Sequence, residues 1–226
     1  MGNNKEMTTP AIQQTNQIMS EMTHAAETLS KIGPAISVFG SARIPPDSPY
    51  YAQSEKIGAL LAKAGFTTIA GGGPGIMEAA NKGAFEAGGT SIGLHIKLKT
   101  ESKANPYLSI NLPFQHFVSR KATFFMHSMA YIVLPGGFGT LDELFEALTL
   151  MQTGKVPTGP IILVGRTFWA GLHQWIIEQL QSSHLINPLD PEIFFIEDDP
   201  VKVVAHMQRF YKDHPGIMSL QNNSPI

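Results

Sequence analysis

Apolar residues along this chain fall into two alternating patterns, short continuous runs and longer stretches with helical spacing. From Ala35 onward the runs AISVFGSA, FTTIA, TSIGLHI, AYIVLP, PIILVG and EIFFIE read as strands buried on both faces, with LSINLPF a weaker candidate. Between them, segments 51–64, 76–87, 117–128, 141–152 and 168–181 read as helices, and another begins near Pro200. In 141–152, Leu144, Leu148 and Met151 share one face. Gly65 and Gly88-Gly89 stand where helices stop, and Asp199-Pro200 is an N-cap followed by a first-turn proline. This alternation predicts an α/β fold: a doubly wound, mostly parallel, Rossmann-like sheet with helices on both faces. No low-complexity linker follows residue 34, so 34–226 is expected to form a single domain. Residues 1–33 read as an extension, a disordered polar start followed by a short amphipathic helix. Ile18, Met22, Ala25 and Leu29 form its apolar face, which must cover either the following domain or a second subunit.

Composition removes several function classes. A hydrophobic content of 43% and a net charge of −2 are wrong for a disordered tail protein. Sixteen cationic residues against 18 acidic ones argue against a nucleic-acid partner. The absence of cysteine excludes disulfides, thiolate metal sites and a thiol nucleophile. The polar N-terminus lacks a signal peptide's apolar run, and no apolar stretch is long enough to span a bilayer, so a cytoplasmic protein without a membrane partner is expected. The eight histidines form no H-E-x-x-H motif and read as packing or surface residues; neither a metal nor a cofactor is expected.

The glycines suggest chemistry. Three loops rich in them leave the carboxyl ends of predicted strands: Gly40-Ser41-Ala42-Arg43, Gly71 to Gly75, and Pro135-Gly136-Gly137-Phe138-Gly139-Thr140. Ligands bind at that edge of open parallel sheets. Two of the loops open helices, where free backbone N–H groups favour an anion and glycine lets it approach. A phosphate is the natural ligand, the plain alternative being tight strand-to-helix turns. No G-x-x-x-x-G-K-[ST] is present, and G-x-G-x-x-G fails at Ile76 and at Asp142, so neither a P-loop nor a conventional dinucleotide site is expected.

LPGGFGTLDEL at 134–144 matches a P-G-G-x-G-T-x-x-E signature. GGGPGIMEAANKGA at 71–84 matches a second glycine motif, and Arg120-Lys121 stands just before the strand leading to the first. On these strings the chain resembles the LOG family, cytokinin-activating phosphoribohydrolases once labelled lysine decarboxylases. The GGGPG loop is one residue shorter than the common G-G-G-x-x-G form. The resemblance implies hydrolysis of the N-glycosidic bond of a nucleoside 5′-monophosphate, of the AMP or cytokinin riboside type, to free base and ribose 5-phosphate. It assigns catalysis to Arg120 and Glu143 and substrate binding to Gly72, Gly73, Gly75, Gly136, Gly137, Gly139 and Thr140, with Lys121 and Ser41 as further contacts. It also implies a homodimer or higher homo-oligomer whose sites draw on neighbouring subunits. A carboxylate can stabilise the oxocarbenium character that develops on ribose and deprotonate water, while a guanidinium can clamp phosphate or orient the carboxylate.

Other readings compete. Thr140-Leu141-Asp142-Glu143 is also a capping box, in which Thr140 and Glu143 would cap the helix reciprocally. Arg120 could be a helix-surface arginine, Lys121 points about 100° away from it, and Ser41 could merely close a local turn. The loops alone would serve a non-catalytic nucleotide sensor. A pyridoxal-phosphate decarboxylase needs a Schiff-base lysine in a characteristic setting and usually a larger chain.

Overall fold

The computed structural model describes residues 9–98, 103–157 and 159–214. The strands among them are β1 Ala35–Phe39, β2 Thr67–Ala70, β3 Ser91–Ile96, β4 Ile110–Phe114, β5 Ala130–Val133, β6 Ile161–Leu163 and β7 Phe194–Ile196. The helices are α1 Pro10–Leu29, α2 Pro49–Lys63, α3 Ile76–Glu86, α4 Phe117–His127, α5 Phe138–Gln152, α6 Arg166–Trp175 and α7 Pro200–Asp213. The last turns of the segment read as one helix over 168–181 are π-helical, at Ile176–Gln181, and a 3₁₀ turn at Asp190–Ile193 precedes β7.

The strands form one sheet in the order β4-β3-β2-β1-β5-β6-β7, with every pairing parallel. Every residue of β1, β2, β3, β5 and β6 is buried, as their uninterrupted apolar runs require. β4 is an edge strand. Only Leu112 and Phe114 are buried in it, and Pro113 is tolerated because no strand among the described residues pairs on its outer side, which explains its weaker sequence signal.

Alternate side chains serve two cores. Phe39 and Tyr131 join Leu29, Phe124, Leu144 and Trp169 on the face covered by α1, α4, α5 and α6. On the opposite face, Val38 and Ile132 join Ile57, Leu61, Ala80 and Met207 under α2, α3 and α7. Mostly parallel pairing with helices on both faces is thus observed in full.

α1 is longer than the short helix expected. It starts at Pro10 with Thr9 as N-cap, whose side chain accepts from the Ile12 N–H. Its Ala25 and Leu29 are buried in the first core, so the apolar face covers this chain's own domain. The start of the extension, residues 1–8, lies outside the described residues. No helix among the described residues is long and apolar enough to cross a membrane.

Strand order reverses at β1: the chain proceeds outward through β2, β3 and β4, then returns to β1's other side with β5. The connections leaving the carboxyl ends of β1 and β5 therefore diverge and open a crevice where α/β proteins bind ligands.

Candidate active site

Ser41 ties together the three glycine loops at this crevice. Its N–H donates to the Pro135 carbonyl (3.1 Å), and its own carbonyl accepts from Ile76 N–H (3.0 Å). Its Oγ accepts from the Arg43 N–H at 3.0 Å, the local turn bond, which leaves the hydroxyl proton to donate elsewhere. Gly75 makes the junction possible. Its φ is +68°, and the Ser41 carbonyl oxygen would lie 2.4 Å from a Cβ at this position.

Helix starts distinguish these loops from the rest of the fold. Thr9, Ser48 and Asp199 cap α1, α2 and α7 from their own N-cap positions. Asp198 accepts from the N–H groups of Gly165 and Arg166 at the start of α6, so a carboxylate already occupies that end. Glu21 of α1 reaches the start of α4. Among the described residues, α3 and α5, which follow the glycine loops, begin with neither a side-chain cap nor a carboxylate from another element bonded at the start. Both start on glycine, Gly75 and Gly137, and their first-turn N–H groups, apart from that of Ile76, are the donors that a phosphate would take. A Cβ at Gly137 or Gly139 would meet no protein atom within 4 Å, so the space above them is open.

The capping-box reading of Thr140 and Glu143 is corrected. α5 begins at Phe138, three residues before the expected start, because Gly137 rather than Thr140 is the N-cap. Thr140 is then inside the first turn, with its Oγ1 2.1 Å from where a Cβ on Gly136 would stand. Glu143, a turn further on, is released to meet Arg120.

Arg120 is buried, contrary to the surface reading. Its Nε donates to the Leu94 carbonyl at 2.7 Å, and the guanidinium lies 5.3 Å from the centre of the Phe124 ring. Nη1 donates to Glu143 Oε1 at 3.3 Å, with side-chain exposures of 8% for Arg120 and 13% for Glu143. Nη2 lies against Gly71, 2.3 Å from a notional Cβ there, so the second glycine loop packs on the same guanidinium. Burial pushes the Glu143 carboxyl up to about 7, despite the downward pull of Arg120 and, more weakly, Lys121; Asp142 and Glu146 push it further up. A carboxyl of this pKa exchanges a proton readily near neutrality.

Lys121 is placed elsewhere. It pairs with Asp142 (3.0 Å) and Glu146 (2.7 Å) on the outer flank of α5, beside an open groove that includes Phe138, Leu141 and Phe145. The structure thus brings Arg120, Glu143, Ser41 and the glycines of all three loops together, and sets Lys121 to one side.

Asn105 braces the second loop, and sequence reasoning missed it. Its backbone N–H donates to Gly72 O (2.8 Å), and its Nδ2 donates to Gly73 O and Asn81 Oδ1, both at 3.1 Å. Both loop carbonyls are thereby engaged, which keeps their partial negative charge off an incoming anion. Asn81 is itself fixed by bonds to Ser91 Oγ and Ile92 O. No local pattern marks Asn105, which stands 32 residues from the carbonyl it serves. Asn105→Asp replaces two donated bonds by a carboxylate facing two acceptors. The expected cost is about 2–4 kcal/mol in chemical denaturation, with weaker nucleotide binding in calorimetry. Among the described residues, no group of three histidines or carboxylates could hold a metal ion.

The family described as possible lysine decarboxylase matches residues 77–207. A cytokinin riboside 5′-monophosphate phosphoribohydrolase of Mycobacterium tuberculosis is 31% identical over 161 residues, 67% of this chain and 84% of that one. LOG5 of Arabidopsis thaliana, with the same enzyme name, is 25% identical over 66% of this chain, which spans 65% of the plant protein's length. Among solved structures, the molybdenum cofactor carrier protein of Chlamydomonas reinhardtii shares the fold, with a TM-score of 0.59 at 21% identity over 80% of this chain and 99% of that one.

Proposed function

Because the chain belongs to the LOG family of phosphoribohydrolases, for which lysine decarboxylase is the older description, we propose that it hydrolyses a nucleoside 5′-monophosphate to free base and ribose 5-phosphate. The observation that carries this reading is the buried Arg120–Glu143 pair beside two helix starts that carry no side-chain cap.

The 5′-phosphate takes the first-turn N–H groups of α3 and α5, with Gly72, Gly73, Gly75, Gly136, Gly137, Gly139 and Thr140 shaping the cradle and Ser41 bonding phosphate or ribose. Phosphate contacts remote from the reacting carbon hold C1′ in place. As the C1′–N bond breaks, its electron pair leaves with the base, which gains a proton, and positive charge develops across C1′ and the ring oxygen. Ionised Glu143 stabilises that charge and accepts a proton from the attacking water, whose oxygen bonds to C1′; passing that proton on to the departed base restores the carboxylate. Arg120, held by Leu94 O and Phe124, fixes the carboxylate and favours its ionised form. Nucleoside monophosphates are charged and retained by membranes, so a cytoplasmic location accompanies this substrate.

Incubation with AMP and with isopentenyladenosine 5′-monophosphate tests the reading by release of base and ribose 5-phosphate. Binding without base release from any common monophosphate would establish the sensor instead.

The exposed groove on α5 supports a homo-oligomer. Phe138 is 92% exposed at the mouth of the site, and Phe117 and Val118 of α4 are exposed as well. A second copy covering this flank would shield the apolar groove beside the Lys121 ion pairs and set Lys121 near a neighbouring site. Phe138→Asp should shift the chain towards monomer in sedimentation equilibrium while leaving its thermal unfolding within a few degrees.

A further inference from the structure

α4 carries Arg120 but does not cap itself: His116 is its N-cap residue, and its side chain makes no capping bond. A carboxylate from the extension instead holds the residues at its start. Glu21 of α1 accepts from the Gln115 N–H at 3.0 Å and bonds His116 Nδ1 at 3.2 Å, while its second oxygen accepts from Ser119 Oγ. A carboxylate here faces the positive end of the α4 dipole. Burial raises the Glu21 carboxyl, but the bonds from Ser119, Gln115 and His116 outweigh it and hold the group below its ordinary value. The contact is continuous with the core. Glu21, Ala25 and Leu29 recur every four residues along α1, and the last two pack in the cluster that contains Phe124 and Phe125 of α4.

The first turn of α4 leads directly into the site. Ser119, which bonds Glu21, is fully buried and precedes Arg120; the Arg120 N–H donates to the His116 carbonyl at 3.2 Å. Rotation or fraying of this turn would move the guanidinium relative to the Leu94 carbonyl and Glu143.

We propose that Glu21 is a positioning residue: α1 acts as an intramolecular clamp on the start of α4 and sets Arg120 in register with Glu143. The proposal rests on the phosphoribohydrolase reading for its effect on rate, but not for its effect on Glu143. Because the phosphate cradle is built on α3 and α5, loss of the clamp acts on the chemical step more than on binding.

The test compares Glu21→Ala, isosteric Glu21→Gln, and Glu27→Gln on the exposed side of the same helix. Glu21→Ala is expected to lower kcat for AMP about tenfold to a hundredfold while KM stays within about threefold. With Arg120 less well placed, Glu143 should titrate about one unit higher, read by carbon-13 NMR against Glu143→Gln. Glu21→Gln should show the same changes at smaller size, and Glu27→Gln neither. The NMR titration needs no turnover: an inactive wild type would overturn the hydrolase reading alone, whereas the Glu143 shift would still test the clamp. If Glu21→Ala fails to fold, Glu21→Gln supplies the measurement. A folded Glu21 variant with wild-type Glu143 titration and wild-type kcat would overturn the proposal and reduce Glu21 to a packing contact.

Discussion

Glu143→Gln is expected to bind AMP yet release adenine at least about a thousandfold more slowly, within the range for loss of a general base. The substitution preserves shape and a bond from Arg120 but removes the charge that stabilises the developing cation and accepts the proton. Its pH behaviour makes the result specific. In the wild type, kcat/KM should rise with unit slope up to about pH 7, where Glu143 ionises, and this limb should vanish from the residual activity of the variant. Stability should move in the opposite sense. The folded-state pKa of Glu143 lies above the ordinary 4.5, so the fold prefers the neutral acid. That contribution is fully present below about pH 4.5 and is lost as pH rises through about 7. A neutral glutamine does not lose it. The stability difference should therefore shift in favour of Glu143→Gln between pH 5 and 8, by up to roughly 3 kcal/mol, on top of a constant offset from Arg120 losing its counter-charge. Denaturation at both pH values with unchanged stability difference would argue that Glu143 is already ionised at pH 5.

Gly75→Ala should be the most damaging single change in the phosphate cradle. Gly75 has φ +68° and ψ −131°, a backbone state that an L side chain rarely enters. A methyl group would also stand 2.4 Å from the Ser41 carbonyl oxygen and 2.8 Å from the Ala42 carbonyl carbon, both main-chain atoms with little freedom to withdraw. Relief requires separating the β1 loop from α3, which breaks the Ile76 N–H to Ser41 O bond and disperses the first-turn donors of α3. A loss of about 2–4 kcal/mol in denaturant unfolding is expected, with at least a tenfold rise in KM for AMP. Gly139→Ala is the contrasting case, because a Cβ there meets no protein atom. It should leave stability nearly unchanged, so any loss of nucleotide binding would report the ligand's own approach to the backbone.

The sheet was legible because burial on both faces makes continuous apolar runs, and β4 was faint because an edge strand buries only alternate residues. Helix boundaries were legible where a capping residue precedes proline, as at Asp199-Pro200. Thr9-Pro10 and Ser48-Pro49 carry the same local signal, and reading all three would have recovered the full length of α1 and the start of α2. The start of α5 was obscured because T-x-x-E resembles a capping box, while glycines that accept helical geometry let the helix begin earlier. Within the site, the glycine loops and the Arg120 and Glu143 positions were visible in contiguous strings. Asn105 and Glu21 were not, since each acts across tens of residues through hydrogen bonds that leave no periodic trace. Lys121 illustrates the same limit, because neighbours in sequence on a helix face different surroundings.

The uncapped starts of α3 and α5 have a consequence for how firmly the protein holds together. Among the described residues, the other five helices have a side-chain acceptor bonded at their start; these two leave first-turn N–H groups for a ligand. Each side-chain cap is worth about 0.5–2 kcal/mol, so a phosphate group bound at these starts should add stabilisation of that order. Inorganic phosphate or ribose 5-phosphate should then raise Tm and slow amide exchange at Met77, Glu78, Gly139 and Thr140, while an uncharged nucleoside should do neither. Ribose 5-phosphate, the product that carries the phosphate, is then expected to leave after the base, and its release to act as a brake on turnover.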